Sequence, residues 1–186
     1  MSIVRFIPNL ITLLRIFCIP PLLFFLLKND RISALIVLVF GALSDFFDGY
    51  LSRKLNLESK LGKLLDPLAD KLFSNAVIWG LYFTVSHTPP TLLVAISLTT
   101  KDIILLLGTI FIILKRLFVK TNPLAIGKIC TAFVFIFTIL STIIDSDSPC
   151  LNIFGYVCFS TILVTSWAYG IRFLKAKYDG KNDLRL

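Results

Sequence analysis

Long apolar runs separated by short polar segments dominate this sequence. Several runs approach the roughly 20 residues that a helix needs to cross about 30 Å of hydrocarbon at about 1.5 Å per residue. The second run continues into a stretch rich in aspartate, and a polar stretch also precedes the third run. The pattern predicts six membrane-spanning helices, with apolar runs at residues 8–27, 32–43, 72–85, 92–114, 124–144 and 151–171.

Composition points to the same class of protein. Of the 186 residues, 56% are hydrophobic and 13% are aromatic, and the mean hydropathy is +0.87. These values exceed the usual balance of soluble domains. The sequence contains no Gly/Ser linker, low-complexity tract or obvious repeat. We therefore expect an all-α integral membrane protein with one domain over residues 1–186 and a mobile tail at about 175–186.

The basic residues predict the orientation in the membrane. Cytoplasmic loops next to membrane helices are rich in Lys and Arg. With six spans and the N-terminus inside, most basic residues fall in inner segments, whereas the third outer loop carries acidic Asp145 and Asp147. This asymmetry predicts that both termini and the aspartate-rich stretch are cytoplasmic.

The formal net charge of +8 raises nucleic acid as an alternative partner. The basic residues, however, lie at the ends of the predicted helices and do not form one soluble face. Anionic lipid headgroups are the better match for that distribution. We expect membrane lipids as partners and no nucleic acid.

Four aspartates interrupt the apolar pattern. Asp45 and Asp48 are three residues apart, and Asp66 and Asp70 are four apart, so on helices each pair lies on one face. A turn at residues 56–60 would bring the two faces together. Because an aspartate at the centre of a membrane helix costs about 2.5–3.5 kcal/mol, four of them require compensating partners.

Divalent cations are the partners that the aspartates predict. Four carboxylates carry a charge of about −4, which two divalent ions neutralise, and paired ions are typical of phosphoryl-transfer sites. Oxygen ligands favour Mg²⁺ or Mn²⁺. Gly49 and Gly62 would let a ligand approach the backbone, and Arg53 can offer a planar fork to a phosphate. The alternative, simple pairing of aspartates with arginines at a membrane surface, does not explain the whole spacing.

The spacing resembles the motif of the CDP-alcohol phosphotransferases, membrane enzymes that make phospholipids from CDP-diacylglycerol. Ser52 is the one departure inside the motif, since the family usually has Ala there. The resemblance covers roughly residues 8–172. It is carried by three segments and the motif itself, which read P8-N9-L10-I11-T12-L13-L14-R15, D66-P67-L68-A69-D70-K71-L72, G127-K128-x-x-T131 and D45-x-x-D48-G49-x-x-S52-R53-x8-G62-x-x-x-D66-x-x-x-D70.

The resemblance implies a six-helix fold with a polar cavity open to the cytoplasm. It implies that the four aspartates hold two metal ions and that Asp70 is also the general base for the acceptor hydroxyl, which would attack the β-phosphate of CDP-diacylglycerol and expel CMP. The positions implied in binding the nucleotide part of the donor are Asn9, Thr12, Gly49, Ser52, Arg53, Ser59 and Gly62.

The acceptor alcohol should be selected by the remaining charges within the spans. We expect Lys101 and Lys128, and with them Arg15, to bind an acceptor phosphate. Lys71 is expected to pair with a motif aspartate. A salt bridge between Lys101 and Asp102 is not expected, because adjacent residues of a helix point apart.

Two acceptors fit the resemblance. The opening segment and the D66-P67-L68-A69-D70-K71 block are most similar to phosphatidylglycerophosphate synthases, which use glycerol 3-phosphate. The K101-D102 pair is closer to the eukaryotic-type cardiolipin synthases, which use phosphatidylglycerol. We favour glycerol 3-phosphate, because Lys101 and Lys128 can satisfy a small phosphate.

Other classes fit less well. A cation channel or transporter would spread acidic residues along a pathway or show paired repeats, whereas these carboxylates cluster at one membrane face. A scaffold without catalysis would not need all four aspartates. The similarity to bacterial members predicts the bacterial cytoplasmic membrane as the location, and because family members are often homodimers, a homodimer is the oligomer to test.

Overall fold

The computed structural model describes the backbone of residues 7–55, 62–114 and 125–182, and the side chains of residues 13–44, 68–108 and 126–171. Six helices make up nearly all of the described part. They are α1 (Ile7–Leu27), α2 (Arg31–Leu55), α3 (Gly62–Thr84), α4 (Pro89–Leu114), α5 (Ala125–Ile143) and α6 (Pro149–Asn182).

The helices follow the predicted apolar runs closely. Helix α1 continues through Pro20 and Pro21, and α2 extends well past its apolar run to Leu55. Helix α3 begins at Gly62, so the aspartate pairs are on helices, as the spacing predicts. The expected turn at residues 56–60 lies outside the described residues.

Apolar surface identifies the fold as that of a membrane protein. In the described part of the chain, three helical segments are long and apolar enough to cross a bilayer, namely Pro89–Gly108, Ile126–Ile143 and Pro149–Ile171. Shorter apolar stretches occupy Leu13–Leu27 and Arg31–Ser44. Large hydrophobic side chains on these helices are widely exposed, as lipid contact requires and as a soluble surface rarely shows. Six spans remain a prediction.

Helix α3 lies between two hydrophobic cores. Its residues Phe73, Val77 and Leu81 pack with buried residues of α1 and α2. Ile78, on another face of α3, packs with buried residues of α4, α5 and α6. Because α3 carries half of the motif aspartates, both halves of the bundle determine where those aspartates lie.

An ion pair shows that two of the connections lie at the same end of the bundle. Arg31 Nη1, at the start of α2, lies 3.0 Å from Asp145 Oδ1, in the α5–α6 connection. Asp145 is an exposed loop charge, as predicted, although it has this partner. Helices that alternate in direction therefore place the starts of α1, α3 and α5 and the ends of α2, α4 and α6 at the opposite end.

Candidate active site

The motif residues are at that opposite end. The end of α2 carries Asp45, Asp48, Gly49, Ser52 and Arg53, and the start of α3 carries Gly62, Asp66 and Asp70. Asn9 and Thr12 are on the first turns of α1. Ser59 lies outside the described residues. The backbone thus collects the predicted metal and nucleotide positions that it describes on three helix ends.

A close contact between α2 and α3 adjoins the aspartates. A Cβ placed on Gly41 would overlap the aromatic ring of Phe73, with Cε2 only 2.8 Å away. Phe73 is 6% exposed, so its ring has little room to move. Gly41 precedes Asp45 by about one helical turn, and Phe73 follows Asp70 by about one turn. The contact fixes how closely the two aspartate-bearing helices approach.

Asp70 has the accessibility that a reacting group needs. Its side chain is exposed on the first half of α3. The Ser74 hydroxyl donates to the backbone carbonyls of Asp70, at 2.9 Å, and Lys71, at 3.2 Å. The side chains of Asp45, Asp48 and Asp66 are outside the described part, and the described side chains alone form no cluster of three metal-binding groups. Four carboxylates on two neighbouring helix ends are an oxygen donor set that suits a hard divalent cation.

Lys71 and Lys101 share one carboxylate. Asp102 Oδ1 lies 3.9 Å from Lys71 Nζ and 3.8 Å from Lys101 Nζ. The expectation that Lys101 and Asp102 would not pair is wrong, because the flexible four-carbon stem of lysine bends back to its neighbour. Lys71 lies within ion-pair distance of Asp102 and also interacts electrostatically with Asp70, the motif aspartate that precedes it. The expected pairing of Lys71 with a motif aspartate stays a prediction.

Asn75, Thr99 and Trp79 were not singled out by the sequence as site residues. Asn75 Nδ2 donates to Asp102 Oδ2 at 3.0 Å, and the Thr99 hydroxyl lies 2.7 Å from Asn75 Oδ1. The Trp79 indole N–H donates to Thr99 Oγ1 at 2.9 Å. One feature of the sequence could have identified Asn75. A polar amide in an apolar helix is costly unless it has a hydrogen-bond partner, so such a residue indicates a polar contact.

The other two candidate acceptor residues are in different environments. Arg15 is on α1 and is 1% exposed. Lys128 is exposed near the start of α5. The preceding Gly127 faces Tyr169 of α6, whose hydroxyl would be 2.6 Å from a Cβ on that glycine. Helix α3 packs against both α4 and α5, which carry Lys101 and Lys128.

Comparison with known proteins agrees with the motif. The family model described as CDP-alcohol phosphatidyltransferase matches residues 5–171. The chain belongs to the CDP-alcohol phosphatidyltransferase family. It is therefore a membrane transferase of phospholipid synthesis, and enzymes of this family use divalent metal ions.

Proteins under two different names are similar to the chain. A CDP-diacylglycerol--glycerol-3-phosphate 3-phosphatidyltransferase of Aquifex aeolicus is 40% identical over 129 residues, which are 69% of this chain and 70% of the relative. A protein of the same name from Pseudomonas fluorescens is 49% identical over 69 residues, 36% of this chain and 35% of the relative. A putative cardiolipin synthase of Mycobacterium bovis is 32% identical over 126 residues, 67% of this chain and 58% of the relative.

Proposed function

We propose that the protein transfers the phosphatidyl group of CDP-diacylglycerol to glycerol 3-phosphate, giving phosphatidylglycerophosphate and CMP. The observation that carries the proposal is the 40% identity to the Aquifex aeolicus enzyme over about two thirds of both chains. The exposed Asp70 at the motif-bearing end of the bundle supports it, because an acceptor can reach that carboxylate.

The motif residues divide the work between holding the donor and activating the acceptor. Two Mg²⁺ or Mn²⁺ ions would be held by the four motif aspartates, Asp45, Asp48, Asp66 and Asp70. When bound, such ions neutralise the diphosphate and polarise the reacting phosphoryl group. We assign the cytidine diphosphate part of the donor to the seven positions Asn9, Thr12, Gly49, Ser52, Arg53, Ser59 and Gly62.

Asp70 is the proposed general base, which accepts the proton of the acceptor hydroxyl. The acceptor hydroxyl gives its proton to a carboxylate oxygen of Asp70, and the hydroxyl oxygen forms a bond to the β-phosphorus. The bond from that phosphorus to the bridging oxygen breaks, and CMP leaves with the electron pair. Such transfers depend mainly on positioning and on electrostatic stabilisation. We assign three cations to the acceptor phosphate, namely Lys101, Lys128 and Arg15.

Phosphatidylglycerol is the second candidate acceptor, which would make the protein a cardiolipin synthase. The adjacent Lys101 and Asp102 favour it from the sequence, and the Mycobacterium bovis relative supports it at lower identity. A lipid acceptor would need less positive charge than glycerol 3-phosphate, and the carboxylate that Lys71 and Lys101 share lowers the net positive charge there.

The test is product identification with the purified protein in detergent. The protein is incubated with CDP-diacylglycerol, Mg²⁺ and either labelled glycerol 3-phosphate or labelled phosphatidylglycerol. We expect phosphatidylglycerophosphate and an equal amount of CMP from the first acceptor. Cardiolipin from the second acceptor, with no product from the first, would replace the proposal by its alternative.

The location we propose is the bacterial cytoplasmic membrane, with the active site and both termini cytoplasmic. The concentration of basic residues in the predicted inner segments supports this orientation. A homodimer is the oligomeric state we propose to test by cross-linking in the membrane.

A further inference from the structure

A continuous set of hydrogen bonds crosses from α3 to α4 beside the candidate base. The Trp79 indole N–H donates to the Thr99 hydroxyl at 2.9 Å. That hydroxyl lies 2.7 Å from Asn75 Oδ1 and 2.8 Å from the Ala95 carbonyl, and it can donate its proton to either. Asn75 Nδ2 in turn donates to Asp102 Oδ2 at 3.0 Å. Two residues from each helix take part, so these hydrogen bonds connect α3 to α4.

The contacts determine the orientation of the Asn75 amide. Its nitrogen donates both to Asp102 Oδ2 and, at 2.8 Å, to the backbone carbonyl of Lys71. Rotating the amide by half a turn would place its oxygen against two other acceptors, Asp102 Oδ2 and the Lys71 carbonyl. It would also place its nitrogen against the Thr99 hydroxyl, which already accepts a hydrogen bond from the Trp79 N–H. Only one orientation satisfies all of these groups, so the amide holds the Asp102 carboxylate in one place.

Asp102 in turn holds two ammonium groups. Lys71 Nζ and Lys101 Nζ lie 3.9 Å and 3.8 Å from the same oxygen, Asp102 Oδ1. Lys71 Nζ also lies 3.4 Å from the Asp102 backbone carbonyl. The side chains of Asp102 and Lys101 are 10% and 11% exposed, and that of Lys71 is 21% exposed. Charges this buried are weakly screened, so a small displacement of the carboxylate changes where both cations lie.

We propose that Asn75, Thr99 and Asp102 are positioning residues that set the location of the Lys71 and Lys101 ammonium groups for an anionic acceptor. Lys71 directly follows Asp70, so one of the two positioned cations is on the same helix turn as the candidate base. This inference rests on the proposed function, because it assumes that the acceptor carries a phosphate. Its consequence is that acceptor binding depends on an amide and a hydroxyl that never contact the acceptor.

Thr99→Val tests the proposal, with Thr100→Val as its matched control. Valine keeps the shape of threonine but removes the hydroxyl, which leaves the Trp79 N–H and the Asn75 carbonyl without this partner. Thr100 is the next residue of α4, is exposed, and donates its hydroxyl to the Ile96 carbonyl of its own helix at 2.8 Å. Both variants carry the same substitution in the same helix.

We expect Thr99→Val to raise the KM for glycerol 3-phosphate about fivefold, the scale of one lost hydrogen bond. The KM for CDP-diacylglycerol should stay unchanged, Thr100→Val should match the wild type, and Thr99→Ser should restore the wild-type KM. A role in stability alone predicts a lower unfolding temperature with no change in the acceptor KM. That result, or an equal effect of Thr100→Val, would overturn the inference.

Trp79→Phe provides a second variant in case Thr99→Val does not fold. It removes the indole donor and keeps an aromatic ring, so we expect a smaller rise in the acceptor KM, about twofold, with the donor KM unchanged. An unchanged acceptor KM in folded Trp79→Phe contradicts the inference. Wild-type protein that makes no phosphatidylglycerophosphate contradicts the proposed function itself, so the two failures are distinguishable.

Discussion

Asp70 combines two properties that a general base requires. It is exposed, so a substrate hydroxyl can reach it, and it belongs to a helix held on two sides by buried cores. A base must lie within hydrogen-bond reach of its proton, and a rigid helix maintains that distance better than a loop. The sequence predicted the residue, and the structure describes its exposure.

Asp70→Asn should reduce turnover by about 10²–10⁴-fold, because the amide cannot accept the acceptor proton. The amide oxygen can still ligate a metal ion, so we expect the protein to insert into membranes and to bind CDP-diacylglycerol. CMP release measures turnover, and retention of labelled donor measures binding. Asp147→Asn, an exposed aspartate in the α5–α6 connection, is the control and should keep full activity. Full activity in Asp70→Asn would remove Asp70 from the role of base.

Asp30 makes the α1–α2 connection sensitive to acid. Hydrogen bonds from Ser33, first from its hydroxyl and then from its backbone N–H at 3.2 Å, hold the pKa of Asp30 below its usual value. A lowered pKa in the folded state stabilises the protein above the unfolded-state pKa of about 3.9, and this contribution is lost as the pH falls through the folded-state pKa.

We therefore expect wild-type protein to lose thermal stability below about pH 4 more steeply than Asp30→Asn. Asparagine caps a helix about as well as aspartate but does not titrate in this range. The measurement is the unfolding temperature in detergent from neutral pH to pH values below the Asp30 pKa. Parallel curves for the two proteins would show that this carboxylate does not contribute to the acid response.

Helices α2 and α3, which carry the two halves of the motif, are in close contact at one glycine. Gly41 admits the buried Phe73 ring against the backbone of α2, about one turn from Asp45. The sequence predicted both helices, and the spacing of the aspartates predicted that the two members of each pair lie on one helix face. It could not predict this contact, since helical periodicity identifies the buried face of a helix but not the residue that packs on it.

Gly41→Ala should destabilise the protein by about 1–3 kcal/mol, the usual effect of overpacking a well-filled core. Displacement of α2 from α3 should also raise the Mg²⁺ concentration needed for half-maximal activity. Unfolding temperatures and a Mg²⁺ titration of CMP release measure the two effects. The double variant Gly41→Ala/Phe73→Leu should recover part of the lost stability and part of the Mg²⁺ affinity, because the smaller Leu side chain leaves room for the added methyl group.

Gly170 provides the matched control for Gly41. It is also in a helix, but a Cβ there would meet nothing within 4 Å. Gly170→Ala should therefore raise stability by up to about 1 kcal/mol, through helix propensity alone. A Mg²⁺ requirement that changes equally in both variants would contradict a specific role for the contact between Gly41 and Phe73.

The whole bundle carries a natural reporter of its orientation. Cys18, Cys130 and Cys158 are buried, whereas Cys150 is exposed at the start of α6. The predicted orientation places Cys150 outside the cytoplasmic membrane, at the end that carries the pair of Arg31 and Asp145. A thiol reagent that cannot cross membranes can therefore distinguish the two orientations.

We expect a membrane-impermeant maleimide to label the protein in intact spheroplasts, because the reagent reaches Cys150 from outside. Cys150→Ser should abolish the labelling, which assigns the signal to this residue. The readout is a mass shift of the purified protein. Labelling confined to inverted membrane vesicles would reverse the predicted topology and place the motif-bearing end outside.

The sequence by itself determined the class, the helices and the family. Apolar runs of membrane length, a concentration of basic residues in the predicted inner segments and a fixed aspartate spacing are local features, so they can be recognised without knowing which helices touch. The tertiary structure decided that α3 lies between two cores, that Gly41 receives Phe73, and that Lys71 and Lys101 share Asp102. These contacts join positions distant along the chain or depend on how long side chains bend, and only the packed helices specify them.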